Sequence, residues 1–289
     1  MKANGVIDLT GLEHFINLKR FWCWENDLTT IDLSSNTEIT QLYINGNKLT
    51  RLHLDNNPLL EEIDCSNNPL NILDVSKNTE LVWLDCSGVP ISDLDLSNNT
   101  KLEVLVCSNN FDLSNNPKLR YLDCSGGFVE DLDLSNNPGL IELNCEFNWN
   151  LSGLDLSEND SLMYLRCNNC QISALNISEN ILLKELRCEE NLISSLDVSN
   201  NTALERLDCS NNDLSAIDLS NNISLVELAC GSNILTHLDI RNNVSMHQLE
   251  IDDMNTLTQV CVWEDFPSGL SVLNSSGSPN VQYTVDCSQ

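Results

Sequence analysis

The groups in this 289-residue sequence that could do chemistry are thirteen cysteines, four histidines and 43 acidic side chains. Cys167-Asn168-Asn169-Cys170 has the C-x-x-C spacing of a redox or metal-binding pair. A structural zinc ion takes four ligands, however, and no second pair stands where it would complete the set. His14, His53, His237 and His247 are scattered, and no serine-histidine-aspartate grouping can be placed among them. Asp32, Asp74, Asp95, Asp112, Asp133, Asp155, Asp197, Asp218 and Asp239 recur at a nearly constant interval. A row of carboxylates offers ligands to calcium, but the glycine that marks a calcium loop is absent. Asp at a turn ordinarily accepts hydrogen bonds from its own backbone, and that reading is preferred here. The sequence therefore predicts no enzyme, no metal site and no cofactor.

The charge excludes further classes. Fourteen basic side chains against 43 acidic ones leave a net charge of −29. Phosphate binding needs clustered Lys and Arg, so nucleic acid is not an expected partner. Anionic membrane surfaces are excluded on the same ground. No run approaches the ~20 apolar residues of a membrane-spanning helix, so membrane insertion is not expected. Met1-Lys2-Ala3-Asn4-Gly5 is not followed by the apolar core of a signal peptide. The expectation is a cytosolic chain or a mature fragment without its targeting segments.

The constant interval belongs to a repeat. Leu204 to Leu214 reads L-x-x-L-x-C-x-x-N-x-L, Ser215 to Ser224 reads x-x-L-D-L-S-x-N-x-x, and Leu225 begins the unit again after 21 residues. Coils begin at Leu18, Ile39, Leu60, Leu81, Leu102, Leu119, Leu140, Leu162, Leu183, Leu204, Leu225 and Met246. Two steps differ. Leu102 to Leu119 is 17 residues, which should pinch the solenoid, and Leu140 to Leu162 is 22, which should bulge it. Both L-x-C and L-D-L alternate with the period of a strand. Each coil should thus carry two short extended segments on opposite sides, joined by Asn- and Ser-rich corners. Units of fixed period that pack only on their neighbours make a solenoid.

This signature resembles the leucine-rich repeat, with Cys in place of the central Leu. The 21-residue unit with L-D-L-S-x-N in its variable half resembles the short repeats of secreted or surface-exposed bacterial proteins. The resemblance implies a mainly β superhelix of about 12 coils, with parallel strands on one face and extended or short-strand segments on the other. It also implies an extended binding surface, usually for protein, and a secreted or cell-surface location. Three regions follow: an N-terminal cap over 1–17, the solenoid over 18–259 and a C-terminal cap over 260–289. In the first cap, Thr10-Gly11-Leu12-Glu13 has capping-box spacing. Leu12, Phe15 and Ile16 then predict one helical turn closing the core. In the last, Pro267-Ser268-Gly269 and a polar stretch lead to the alternating Val281–Val285.

Stacking turns each repeat position into a column with neighbours about 4.8 Å apart. Two Asn columns are expected to satisfy the inward-turned corners with their donors and acceptors. One runs from Asn26 through Asn47, Asn68, Asn110, Asn148, Asn191 and Asn212 to Asn233; the other is unbroken from Asn36 to Asn243. The Cys column, Cys23 and then Cys65 to Cys230, shares its slot with Ile44 and Ile251, which marks it as buried apolar filler. Neighbours about 4.8 Å apart are too distant for relaxed disulfides, so free thiols are expected. Cys170 falls on the Asn slot, and a core role accounts for it. Cys261 and Cys287 lie outside the coils and bracket the segment without repeat spacing, which makes them the expected disulfide.

The outward positions of the first strand stop repeating. Trp22, Trp24, Tyr43 and Trp83 should form one patch, and Tyr121, Tyr164, Arg166, Arg187 and Arg206 a second. Aromatics and Arg on an otherwise polar face suit recognition of a protein partner, host or cell-surface proteins among them. A glycan is the alternative ligand for the aromatic patch, and a ligand-free spacer or adhesin stalk is the third option. Two bland readings compete: one has Trp22 and Trp24 simply covering the end of the core, the other has Arg166 and Arg187 pairing with neighbouring acids. A monomer is expected.

Overall fold

The L-x-C alternation places one leucine of each coil inward between two outward residues, and each such triplet forms a three-residue strand. The computed structural model describes residues 5–264, 269–278 and 281–287. Met1-Lys2-Ala3-Asn4, Pro267-Ser268 and the other residues between these spans lie outside it. The chain forms two compact units, 1–129 with 136–140 and 130–135 with 141–289.

The first unit holds strands β1 (Arg20–Trp22), β2 (Gln41–Tyr43), β3 (Glu62–Asp64), β4 (Trp83–Asp85), β5 (Val104–Val106) and β6 (Tyr121–Asp123). They pair in parallel and in register, so Arg20, Gln41, Glu62, Trp83, Val104 and Tyr121 are successive partners. The 17-residue coil leaves that register intact. Its deletion falls in the corner after Cys107, where Phe111 is buried in the core.

The second unit holds β7 (Glu142–Asn144), β8 (Tyr164–Arg166), β9 (Glu185–Arg187), β10 (Arg206–Asp208), β11 (Glu227–Ala229), β12 (His237–Asp239), β13 (Gln248–Glu250), β14 (Gln259–Cys261), β15 (Ser271–Asn274) and β16 (Gln282–Thr284). The strands from β7 to β11 continue through β13 to β15 in one parallel sheet, and β12, β14 and β16 form a second. The 22-residue coil also keeps its register, Glu142 opposite Tyr164. Its extra residue lengthens the step from Asn148 to the next buried leucine, Leu151, and leaves Trp149 60% exposed. Both units are the same parallel-strand solenoid, about 12 coils in all with almost no helix.

Three expectations are corrected. The N-terminal turn, Leu12–His14, is a 3-10 turn capped at Gly11 and not at Thr10, because the Thr10 hydroxyl donates to Asp8. It buries no side chain, and Phe15 and Ile16 are 62% and 59% exposed. What ties the turn to the core is Asn36, whose Nδ2 donates to the carbonyls of Leu12 and Phe15 at 2.9 and 3.0 Å. At the other end the solenoid geometry continues past residue 260: β15 pairs with β13 and β16 with β14, both in parallel.

The remaining two corrections concern the Asn columns. Asn110 is exposed, because the missing residues let the chain leave the corner early. The unbroken column acts through its donors. Asn201 Nδ2, for example, donates to Ile177 and Asn180 carbonyls at 3.0 and 2.9 Å, while its buried Oδ1 faces no N–H. A corner turned inward presents carbonyls, and a carboxamide answers them with N–H alone. In the other column both ends are used. Asn47 Nδ2 donates to the carbonyls of Cys23 and Ile44, and its Oδ1 accepts the Leu28 N–H at 3.1 Å.

One conserved geometry was not anticipated. In every full-length coil the second residue after the Cys slot has positive φ, from 50° at Ser232 to 65° at Gly88. There the strand turns into the corner, and the N–H continues the ladder, as Glu190 N–H does to the Ser210 carbonyl at 3.1 Å. Gly46, Gly88 and Gly126 occupy the slot without strain, whereas Asn, Glu, Ser, Asp and Phe147 adopt it elsewhere.

Candidate recognition surface

The inward Leu of each strand and the Asn columns beneath it hold the outward side chains on a fixed backbone. In the first unit this brings the predicted aromatic residues together. The rings of Trp22 and Trp24 lie 6.1 Å apart, and the Tyr43 ring stands at 89° to Trp22 at 6.0 Å. Tyr43 and Trp83 follow at 5.8 Å. Trp22 remains 45% exposed. Between the rings, Glu62 of β3 accepts the Tyr43 hydroxyl and the Gln41 amide. Burial, reinforced by Glu62, pushes the Tyr43 phenol up to about 12. Tyr121, in the same unit, sets its hydroxyl 3.5 Å from Asp123.

The second unit carries Tyr164 and the three arginines in a different state. Glu185 on β9 has a side chain only 8% exposed, and Arg187 Nε sits 2.8 Å from its Oε1. Arg166 reaches both Glu142 at 3.0 Å and Glu185 at 3.6 Å. Arg206 spans Glu185 at 3.8 Å and Glu227 at 3.1 Å. The arginines thus pair with neighbouring acids, as the bland reading held. They present a charge-balanced, ordered patch in place of free cations.

The chemistry-bearing motifs are absorbed by the fold. The Cys167–Cys230 thiols and Cys170 are buried and unbridged. Burial pushes the Cys230 thiol up to about 12 and those of Cys167, Cys188 and Cys209 well above their ordinary value, so no nucleophilic thiolate is offered. Cys170 donates to the Cys145 carbonyl at 3.4 Å, the role of the Asn whose slot it fills. Along the Asp column, Oδ1 accepts the N–H two residues on, as in Asp197 to Ser199 and Asp218 to Ser220, both at 2.9 Å. The serine hydroxyl and N–H hold the carboxyls of Asp74, Asp95 and Asp197 below the usual range.

Two features escaped the sequence reading. His237, Asp239 and Cys261 converge, with ligand-type atoms within 4.8 Å of one another. They come from β12 and β14, which no spacing rule connects. Asp239 already grips Arg241 at 2.7 Å, and Cys261 lies against Cys287 with Cα atoms 6.1 Å apart, so the group is poorly disposed to hold a metal ion. The other is Glu189, next to the Cys slot. Burial, with Asp208 nearby, pushes its carboxyl up to about 7.

No protein-family model matches the chain, and no curated protein does either. Solved structures do. The functional domain of InlJ from Listeria monocytogenes, which includes a cysteine ladder, is 30% identical over 88% of this chain, with a TM-score of 0.79. This chain spans 65% of that domain's length. An internalin, InlF, from the same species is 21% identical over 94% of this chain and 88% of its own, with a TM-score of 0.75. YopM from Yersinia enterocolitica is 23% identical over 97% of this chain and 59% of its own, with a TM-score of 0.71. Among the described residues no helix is long and apolar enough to cross a membrane.

Proposed function

We propose that this chain, a leucine-rich-repeat protein of the short 21-residue type similar to bacterial members of that class, is a noncatalytic scaffold that binds a protein partner through its first-strand face. The observation that carries the reading is the chain of ring contacts Trp24–Trp22–Tyr43–Trp83 on the outward face of the first unit's strands, flanked by polar Gln41, Glu62 and Asp64 and by apolar Val104. Rigid aromatic side chains supply contact area at little cost in conformational entropy, and they dominate many interfaces. The ordered arginines at Glu185 add a polar region with fixed donors. Tyr121 in the first unit, and Tyr164, Arg166, Arg187 and Arg206 in the second, are each assigned to the first-strand face of their own unit in this proposal.

Location and covalent state belong to the proposal. A secreted or cell-surface protein would form the Cys261–Cys287 bridge, which the 6.1 Å Cα separation permits. The chain is assigned as a monomer that needs no metal. Affinity capture from the native source, followed by binding measurements on purified partner, tests the face. Trp83→Ala and Arg187→Ala should weaken binding about tenfold or more, as interface anchors do, while Asp197→Ala in the other half of the coil should leave it unchanged. The reverse pattern would move the site to the Asp column.

A further inference from the structure

Trp22, Trp24, Tyr43, Asn45, Glu25 and Asp64 line one cleft of about 460 Å³ in the first unit. Trp22 and Tyr43 meet edge to face at 89°, two walls of a corner, and Trp24, tilted 46° from Trp22, extends the wall. Indole and phenol faces carry the negative end of the ring quadrupole, so a corner of three such rings attracts a cation without asking it to form directed hydrogen bonds. The polar residues of the cleft reinforce that sign. Among the described residues that line it, two are carboxylates and none is Lys or Arg. Asp64 is half-buried, and among the described residues its hydrogen bonds come from Ser66, the N–H at 3.1 Å and the hydroxyl at 2.7 Å, both on Oδ1. Burial and the neighbouring Asp85 push its carboxyl up, the mark of a charge that lacks a counter-ion. The whole chain, at −29, concentrates cations at its surface.

We propose that this corner is a site for a quaternary ammonium group, with Trp22, Trp24 and Tyr43 as the cage and Asp64 as its countercharge. A bulky methylated cation matches the site better than a primary ammonium. It fills an apolar corner, loses little hydration on entry and needs no hydrogen-bond acceptor at each N–H. The inference rests on the reading of the first-strand face as a recognition surface and names the chemistry that part of it selects.

The test is a ligand-observed NMR titration of the intact chain with choline, run beside 3,3-dimethylbutan-1-ol, its neutral isostere, and a neutral oligosaccharide. Saturable choline binding, at least about tenfold tighter than the neutral alcohol, is expected from the charge contribution to a desolvated cation–π site. Trp22→Ala should abolish it. Asp64→Asn, which keeps the shape of the side chain, should weaken it about tenfold, so the proposal does not depend on the larger substitution folding. Equal binding of alcohol and choline, preferential binding of the oligosaccharide at the same residues, or no saturable binding would overturn the cage. A partner that still needs Trp83 when choline fails leaves the protein-binding face standing. Choline binding with no partner dependent on that face would do the opposite.

Discussion

The Cys170 thiol donates to the Cys145 carbonyl at 3.4 Å, the bond that Asn191 Nδ2 makes to the Cys167 carbonyl at 2.9 Å one coil further on. A weak thiol donor here substitutes for a carboxamide, and its second contact is a long one of 3.5 Å to the Asn168 carbonyl, which also accepts the Phe147 N–H at 3.0 Å. Cys170→Asn should therefore stabilise the protein by about 0.5–1 kcal/mol, the net worth of one ordinary hydrogen bond. A rise in the denaturation midpoint at unchanged m-value is the expected result. A fall would mean that the slot has no room for a carboxamide.

The donor-only column makes a complementary prediction. Asn201→Ala or Asn222→Ala removes two hydrogen bonds each, to the buried carbonyls of Ile177 and Asn180 or of Val198 and Asn201, which keep only their backbone N–H partners. The loss should be about 1–3 kcal/mol per substitution. Urea melts showing near-neutral stability would remove the ladder from the account of the fold.

Glu189 should give the stability a pH dependence. Its carboxyl is held near 7 in the folded chain against an ordinary 4.5, so the native state keeps a proton that the unfolded state releases. Stability contributed here is full below about 4.5 and falls as pH rises through about 7. Glu189→Gln should be neutral at pH 4 and stabilising by about 1–2 kcal/mol at pH 8, after discounting for its partial exposure. Equal stability of the two proteins at pH 8 would contradict the burial argument.

Backbone geometry predicts opposite effects at two glycines. Gly126 has φ +63° and nothing within 4 Å of an added Cβ, so Gly126→Ala meets only the left-handed penalty and should cost about 1–2 kcal/mol. Gly139, whose added Cβ would sit at an ordinary 3.8 Å from the Leu119 carbonyl, should gain about 0.4–1 kcal/mol on substitution by Ala. Paired thermal melts decide this, and losses of similar size at both positions would count against it.

The compartment can be read from thiol counting on unfolded, non-reduced protein from its native source. Eleven free thiols and a Cys261–Cys287 peptide by mass spectrometry are expected of the secreted form, out of thirteen cysteines in all. Closing that loop contributes about 3–4 kcal/mol by the chain-entropy argument. Thirteen free thiols would place the chain in a reducing compartment.

Much of this structure was legible in the sequence because a strand alternates faces and a repeat copies that alternation. Leu207 had to point inward and Arg206 and Asp208 outward, and the same held at every coil in both units. The register alone set Trp22 beside Tyr43, whereas the Tyr43–Trp83 contact reaches across β3 and depends on how the side chains pack. The sequence also identified Cys170 as a member of the Asn slot, where the C-x-x-C spacing by itself suggested chemistry.

What only the tertiary structure decided is which group each side chain meets, since partners lie a full coil apart and their meeting depends on corner geometry. Asn110 matches the slot yet is exposed, because four missing residues change where the chain leaves the corner. The sequence left Arg166 and Arg187 between a recognition patch and pairing with neighbouring acids; packing sets them and Arg206 around one buried carboxylate, Glu185. Glu189 looks like any acid of this acidic chain, and its raised pKa exists only because folding removes its water. Periodicity fixes the face of a side chain; desolvation and distance, which fix its chemistry, arise only when the coils stack.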